Sequence, residues 1–157
     1  PFKAMSINDN VPVLTALSND HGYEDIFIRQ LKVYGKEGDV LVGISASGNS
    51  ENILRAFKYA ASNGILTVAL TGFDGGKMKF VADQGLHIPT DMKEYGPAED
   101  AHMVIDHLVS SYLMNKIQVC IQFLTFEDCL QFYFSCIRLN FLPIKCTANM
   151  NFGTNYF

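Results

Sequence analysis

At 157 residues with a net charge of -4, the chain is about one domain long and can bury a sizeable core, and its mild acidity, with no Lys/Arg cluster, excludes the usual nucleic-acid-binding surface. It opens Pro-Phe-Lys rather than with a basic and then apolar leader, so a cytoplasmic protein without membrane contact is expected. Pro1 in the initiator position predicts that the natural start lies upstream.

In chain order, residues 4–7 read as a short strand, residues 11–19 as a helix with Pro12 in its first turn, and residues 24–34 as a second helix stopped by Gly35. Residues 39–44 follow as the central strand. Val40, Leu41, Val42 and Ile44 make the apolar, largely β-branched run expected of a strand buried on both faces of a parallel sheet. A helix over 50–63 has Ser50 as its N-cap, Ile53, Leu54, Phe57 and Ala61 on its buried face, and Gly64 as its C-terminal cap. Residues 67–71 form the next strand, 77–82 a short helix after a turn over 72–76, 86–88 a last strand, and 98–115 a long amphipathic helix. This alternation predicts an α/β fold, a three-layer parallel sheet flanked by helices and joined by right-handed crossovers. In such folds ligands bind beyond the carboxyl ends of the strands.

The most informative stretch lies there. Residues 39–52, Asp-Val-Leu-Val-Gly-Ile-Ser-Ala-Ser-Gly-Asn-Ser-Glu-Asn, run from a strand through a hydroxyl-rich turn into a helix. Ser45, Ser47 and Ser50 supply hydroxyl donors, Ala46 a backbone N–H, and Gly48 a close approach of the backbone. The first-turn N–H groups and positive dipole end of the helix add the attraction for an anion. With neither the Gly-Lys-Ser/Thr ending of a P-loop nor G-x-G-x-x-G, the turn suits a small sugar phosphate better than a nucleotide. The competing interpretation is a capped strand-to-helix turn with no ligand. Asn19 and Asp20 can simply end their helix, residues 74–76 read as a tight turn, and Lys77 as solvated.

On the last helix, Glu99, Met103 and His107 fall on one i, i+4, i+8 row, with His102 and Asp106 forming a neighbouring pair. A lone helical histidine can also be a polar group satisfied at a subunit contact. The tail, residues 117–157, holds all four cysteines and most of the phenylalanines, with poor periodicity and no zinc-like spacing. Glu127, Asp128 and Arg138 interrupt its apolar stretches and argue against a membrane span.

Ser-Ala-Ser-Gly-Asn-Ser after Asp-Val-Leu-Val-Gly-Ile resembles the sugar isomerase (SIS) domain signature, and the surrounding segments are similar to bacterial phosphoheptose isomerases. Those segments are Ala-Leu-Ser-Asn-Asp-His-Gly-Tyr-Glu-Asp-Ile-Phe (16–27), Leu-Thr-Gly-Phe-Asp-Gly-Gly-Lys-Met (70–78) and Ala-Glu-Asp-Ala-His-Met-Val-Ile-Asp-His-Leu (98–108). The resemblance divides the chain into a partial SIS domain over 1–116, incomplete at its N-terminus, and a non-family tail over 117–157. It implies isomerisation of sedoheptulose 7-phosphate to a heptose 7-phosphate, a step toward lipopolysaccharide precursors, through an enediol. It further implies that His107 transfers a proton and that Asn19, Asp20, Ser45, Ala46, Ser47, Ser50 and Glu99 bind the sugar phosphate. The cytoplasmic assembly it implies is a homotetramer whose sites draw on more than one subunit.

No cofactor is required on this resemblance, but some relatives hold zinc through a histidine and a glutamine at the places of His107 and Glu99. The carboxylate of Glu99 can replace that amide as a ligand, although the two residues stand about 12 Å apart along the helix axis. The family's preceding segment, with its Gly-Asn-Gly-Gly-Ser type loop and catalytic glutamate, has no counterpart in this sequence. Inactivity of the chain is therefore one expectation. Two alternatives to catalysis stay open, because fold alone does not separate them. One is a sugar-phosphate-binding SIS module, as in regulators or an adaptor of the bacterial replication initiator; the other is an inactive fragment that associates through exposed apolar edges.

Overall fold

The computed structural model describes residues 3–122. Helix α1 (Val11–His21) starts where Asn10 accepts the N–H of Val13 at 3.1 Å, with Pro12 in its first turn, and ends at Gly22. A 3-10 turn (Tyr23–Asp25) then leads into α2 (Ile26–Tyr34). Strand β1 (Val40–Ser45), helix α3 (Glu51–Ser62), strand β2 (Leu66–Thr71), the single-turn α4 (Met78–Val81), strand β3 (Gln84–His87) and the long α5 (Tyr95–Gln122) complete the order. The strands are parallel and stand in sequence order, with Val40 to Ser45 opposite Leu66 to Thr71, and Val68 to Thr71 opposite Gln84 to His87. The expected α/β architecture, a parallel sheet flanked by helices, is present.

Two apolar clusters hold the helices to one face of this sheet. Leu31 of α2 meets Ala56 and Ala60 of α3 and Ile65, while Phe57 of α3 packs with Ala69 of β2 and Met78 of α4. Phe57 lies directly over Gly43, where an added Cβ would stand 2.6 Å from its ring. Burying such side chains contributes roughly 2 kcal/mol each. At the far end of α3, Gly64 takes a left-handed φ of 68° and the Ile65 N–H reaches the Ala60 carbonyl at 3.0 Å, the cap expected there. At the start of β2, the buried Thr67 hydroxyl and N–H both donate to Asp83, at 2.6 and 2.8 Å.

Several expectations need correction. Residues 4–7 form no strand: the Ile7 carbonyl accepts from the side chain of Gln30 at 2.9 Å instead of from a neighbouring strand. Consequently β1 is an edge of the described sheet and β2 its middle. Val42 and Ile44, read as buried on both faces, remain 55% and 56% exposed, because the face opposite Gly43 is open at this edge. The second helix begins later than residue 24, since Gly22, at φ 88°, opens a tighter turn closed by the Asp25 N–H on the Gly22 carbonyl. Ala61 is exposed, and Ala56 and Ala60 hold the inner face of α3 in its place. Helix α5 starts earlier than expected, taking Pro97 into its first turn, where a missing N–H costs nothing. It also continues past Lys116 to Gln122; the rest of the Cys- and Phe-rich tail lies outside the described residues.

Candidate functional site

Strand β1 delivers Ser45 buried at its last position, and the chain then turns through Gly48 at a φ of 61° before α3 begins. The three serines converge. Ser45 Oγ lies 3.2 Å from Ser50 Oγ and 3.5 Å from Ser47 Oγ, and it accepts the Gly48 N–H at 3.1 Å. Ser50 occupies the N-cap position, as expected, but its hydroxyl makes no capping bond to the helix backbone and joins the serine cluster. Ala46, Ser47 and Ser50 stay partly exposed, so the cluster is open to a ligand at a helix N-terminus beyond the strand ends.

A second loop braces this turn from behind. The Gly72 N–H donates to the Ala46 carbonyl at 3.0 Å, the Met78 N–H to the Gly48 carbonyl at 2.9 Å, and the Lys77 N–H to Asn49 Oδ1 at 3.1 Å. Gly75 and Gly76 are essential to this contact. A Cβ on Gly48 would fall 2.0 Å from the Gly75 carbonyl oxygen, and one on Gly76 would fall 2.3 Å from the Ser47 carbonyl oxygen. Residues 74–76, read from sequence as a tight turn alone, are thus the back wall of the serine turn, with Lys77 exposed as expected. Paired glycines between short elements were the available signal.

The remaining candidates lie on other elements, the helices α1 and α5. Asn19 and Asp20 are exposed on α1, bonded to each other at 3.1 Å, and Asn19 lines an open groove of about 380 Å³ with Leu14, Thr15, Ser18 and Tyr23. Glu99 and His107 are both exposed on α5. Among the described residues no three His, Cys, Asp or Glu side chains come together as a metal site. Glu99 and His107 alone do not furnish the four-coordinate shell that zinc takes in proteins. The buried histidine is His102, 5% exposed, with its Nε2 unpartnered among the described residues, whereas Asp106 beside it on the helix is exposed. Ala98, one turn before it, is packed against Gly72, which places the start of α5 on the second loop.

Away from the turn, Arg55 of α3 donates to Asp25 at 2.7 Å and to Glu51 at 3.2 Å, tying the 3-10 turn to α3. The hydrogen bond from Arg55 and its charge hold the Asp25 carboxyl below its ordinary range, and the same contacts raise Arg55. The two bonds from Thr67 likewise lower Asp83.

Residues 2–72, which include β1, the serine turn, α3 and β2, match the family model described as SIS domain. The chain belongs, through this segment, to the SIS domain family. It is homologous to curated phosphoheptose isomerases, being 46% identical over 114 residues to that of Clostridium acetobutylicum (73% of this chain, 57% of the relative) and 42% identical over 108 residues to that of Helicobacter pylori strain HPAG1 (69% and 55%). This SIS chain thus spans little more than half the length of the curated relatives it matches. Among solved structures it resembles phosphoheptose isomerase GmhA from Neisseria gonorrhoeae, at 34% identity and a TM-score of 0.68 over 71% of this chain and 61% of that one. A phosphoheptose isomerase from Francisella tularensis is similar at 32% identity and a TM-score of 0.64, covering 69% of this chain and 57% of that one.

Proposed function

We propose that this SIS chain binds a sugar phosphate with its phosphate seated on the turn of Ser45, Ala46, Ser47 and Ser50, as part of an aldose-ketose isomerase acting on a heptose phosphate. The observation that carries the reading is the convergence of three serine hydroxyls on a helix N-terminus at the carboxyl end of a parallel sheet. Homology to phosphoheptose isomerases supplies the sugar, with sedoheptulose 7-phosphate as the expected substrate. Remote binding of the phosphate orients the carbonyl end and contributes to the chemical step. There a base removes the proton on the carbon beside the carbonyl, an enediol forms, and an acid returns the proton to the neighbouring carbon.

An imidazole suits this exchange because its proton affinity is close to neutrality, and His107 is the group we assign to it. Glu99, Asn19 and Asp20 are assigned to the sugar hydroxyls. Their exposure on α1 and α5 suits a cytoplasmic homotetramer in which such side chains complete a neighbour's site. The reaction so drawn needs no cofactor.

A non-catalytic sugar-phosphate-binding module is the second reading. It is favoured by one observation: among the described residues, the hydrogen bonds of the three serines involve no carboxylate or imidazole.

Isomerisation and binding of sedoheptulose 7-phosphate, measured together, separate the two. Turnover that His107→Ala abolishes supports the isomerase, binding without turnover supports the module, and absence of both removes the sugar-phosphate reading. Ser47→Ala should weaken binding by about 1 to 3 kcal/mol if its hydroxyl donates to the phosphate; unchanged affinity would take Ser47 out of the site.

A further inference from the structure

Each strand of the sheet ends on a polar side chain, and the three stand in one line. Ser45 closes β1, Thr71 closes β2 and His87 closes β3; the parallel register puts Ser45 beside Thr71 and Thr71 beside His87. Partners in a parallel register share a face, here the face on which α3 covers Gly43. Thr71 is 1% exposed, and its hydroxyl lies 3.2 Å from His87 Nδ1. A buried hydroxyl left without a partner is costly, so this bond fixes both side chains. The same Nδ1 would lie 3.2 Å from a Cβ on Gly75, the residue whose carbonyl oxygen would block a Cβ on Gly48. Gly48 in turn donates its N–H to Ser45 Oγ. His87 therefore stands at the start of two short routes to the serine turn, one along the strand ends and one through the glycine loop. Two strand spacings put its backbone about 10 Å from that of Ser45, too far for direct contact with an anion on the turn.

We infer that His87 is a positioning residue for the anion turn: through Thr71 and Gly75 it holds Gly48 and Ser45 where they receive a phosphate. The inference rests on the phosphate-binding reading of the turn.

Titration of inorganic phosphate into the whole chain tests it, comparing the parent with His87→Leu, His87→Asn, Thr71→Val and the Leu/Val double variant. His87→Leu and Thr71→Val should each weaken binding about five- to tenfold, the loss of one hydrogen bond. The double variant should be no weaker than either, because both remove the same bond. An Asn amide places a polar atom near the position of Nδ1, so His87→Asn should bind within about twofold of the parent, a rescue that loss of ring packing would not allow. Should His87→Leu fail to fold, Thr71→Val and His87→Asn decide between them. Phosphate bound equally by the parent and all variants would remove the role of His87 and leave the phosphate reading standing. Additive losses, or Asn as weak as Leu, would also overturn the inference, and a parent that binds no phosphate would overturn both.

Discussion

A methyl group at Gly48 has nowhere to go. The residue sits at a φ of 61°, and its Cβ would meet the Gly75 carbonyl oxygen at 2.0 Å, a backbone atom that cannot swing aside. Gly48→Ala should therefore combine a left-handed strain of about 1 kcal/mol or more with a forced separation of the two loops. We expect it to cost at least about 2 kcal/mol in chemical denaturation and to abolish phosphate binding; a variant as stable as the parent would mean that the loops are not packed together. The glycine was legible in the sequence as a point of close approach, but the partner it approaches was not. Ser50 illustrates the same limit. Its place at the N-cap follows from a local rule, whereas the choice of its hydroxyl to join Ser45 depends on where β1 ends in three dimensions. His87 and Thr71 gave no local signal, since each reads as an ordinary strand residue until the register aligns them.

Elements were easier to find than their partners. Strands β1 and β2 and helices α1 and α3 fall within two residues of the expected bounds, because apolar periodicity, Pro12 and Gly64 act locally. Helix α5 was visible as an amphipathic pattern, yet over residues 95–117 only Ala98 and His102 are buried, while Met103, Leu108, Tyr112 and Met114 are exposed. A hydrophobic pattern states that a face is suited to burial without naming what covers it.

The junction between the 3-10 turn and α3 carries a pH dependence. Arg55 lowers the folded Asp25 carboxyl below its ordinary value, so the ionised pair favours the folded state above the usual carboxylate range, and that contribution is lost as pH falls through the lowered folded value. Thermal midpoints measured from pH 7 downward should be nearly flat to about pH 5 and fall below about pH 4. In Arg55→Leu the midpoint should start lower and fall less steeply. Parallel curves for the two proteins would show that the ion pair contributes nothing.

For the molecule as a whole, the parallel α/β sheet was legible because strand and helix signals alternate at crossover spacing. The order of strands within it was not. Whether a strand lies at the centre or the edge depends on which segments pair, and residues 4–7, with a plausible strand composition, pair with none of the described strands. Val42 and Ile44 consequently face outward on β1, an apolar run that composition alone assigns to the interior.

The two loops at the carboxyl end of the sheet also tie distant parts of the chain together. The amides of Met78 and Lys77 are bonded to Gly48 and Asn49, residues about thirty positions earlier, so neither can exchange with solvent until the loops part. A ligand bound only to the closed turn disfavours that opening by mass action, by about 2.7 kcal/mol at a hundredfold excess over Kd. Deuterium uptake at Met78 should then slow by about a hundredfold when sugar phosphate is added, while uptake in the first turn of α1, at the end away from Asn19 and Asp20, should not change. An amide that touches no ligand becomes a clock for occupancy of the turn, readable in a protein whether or not it turns anything over.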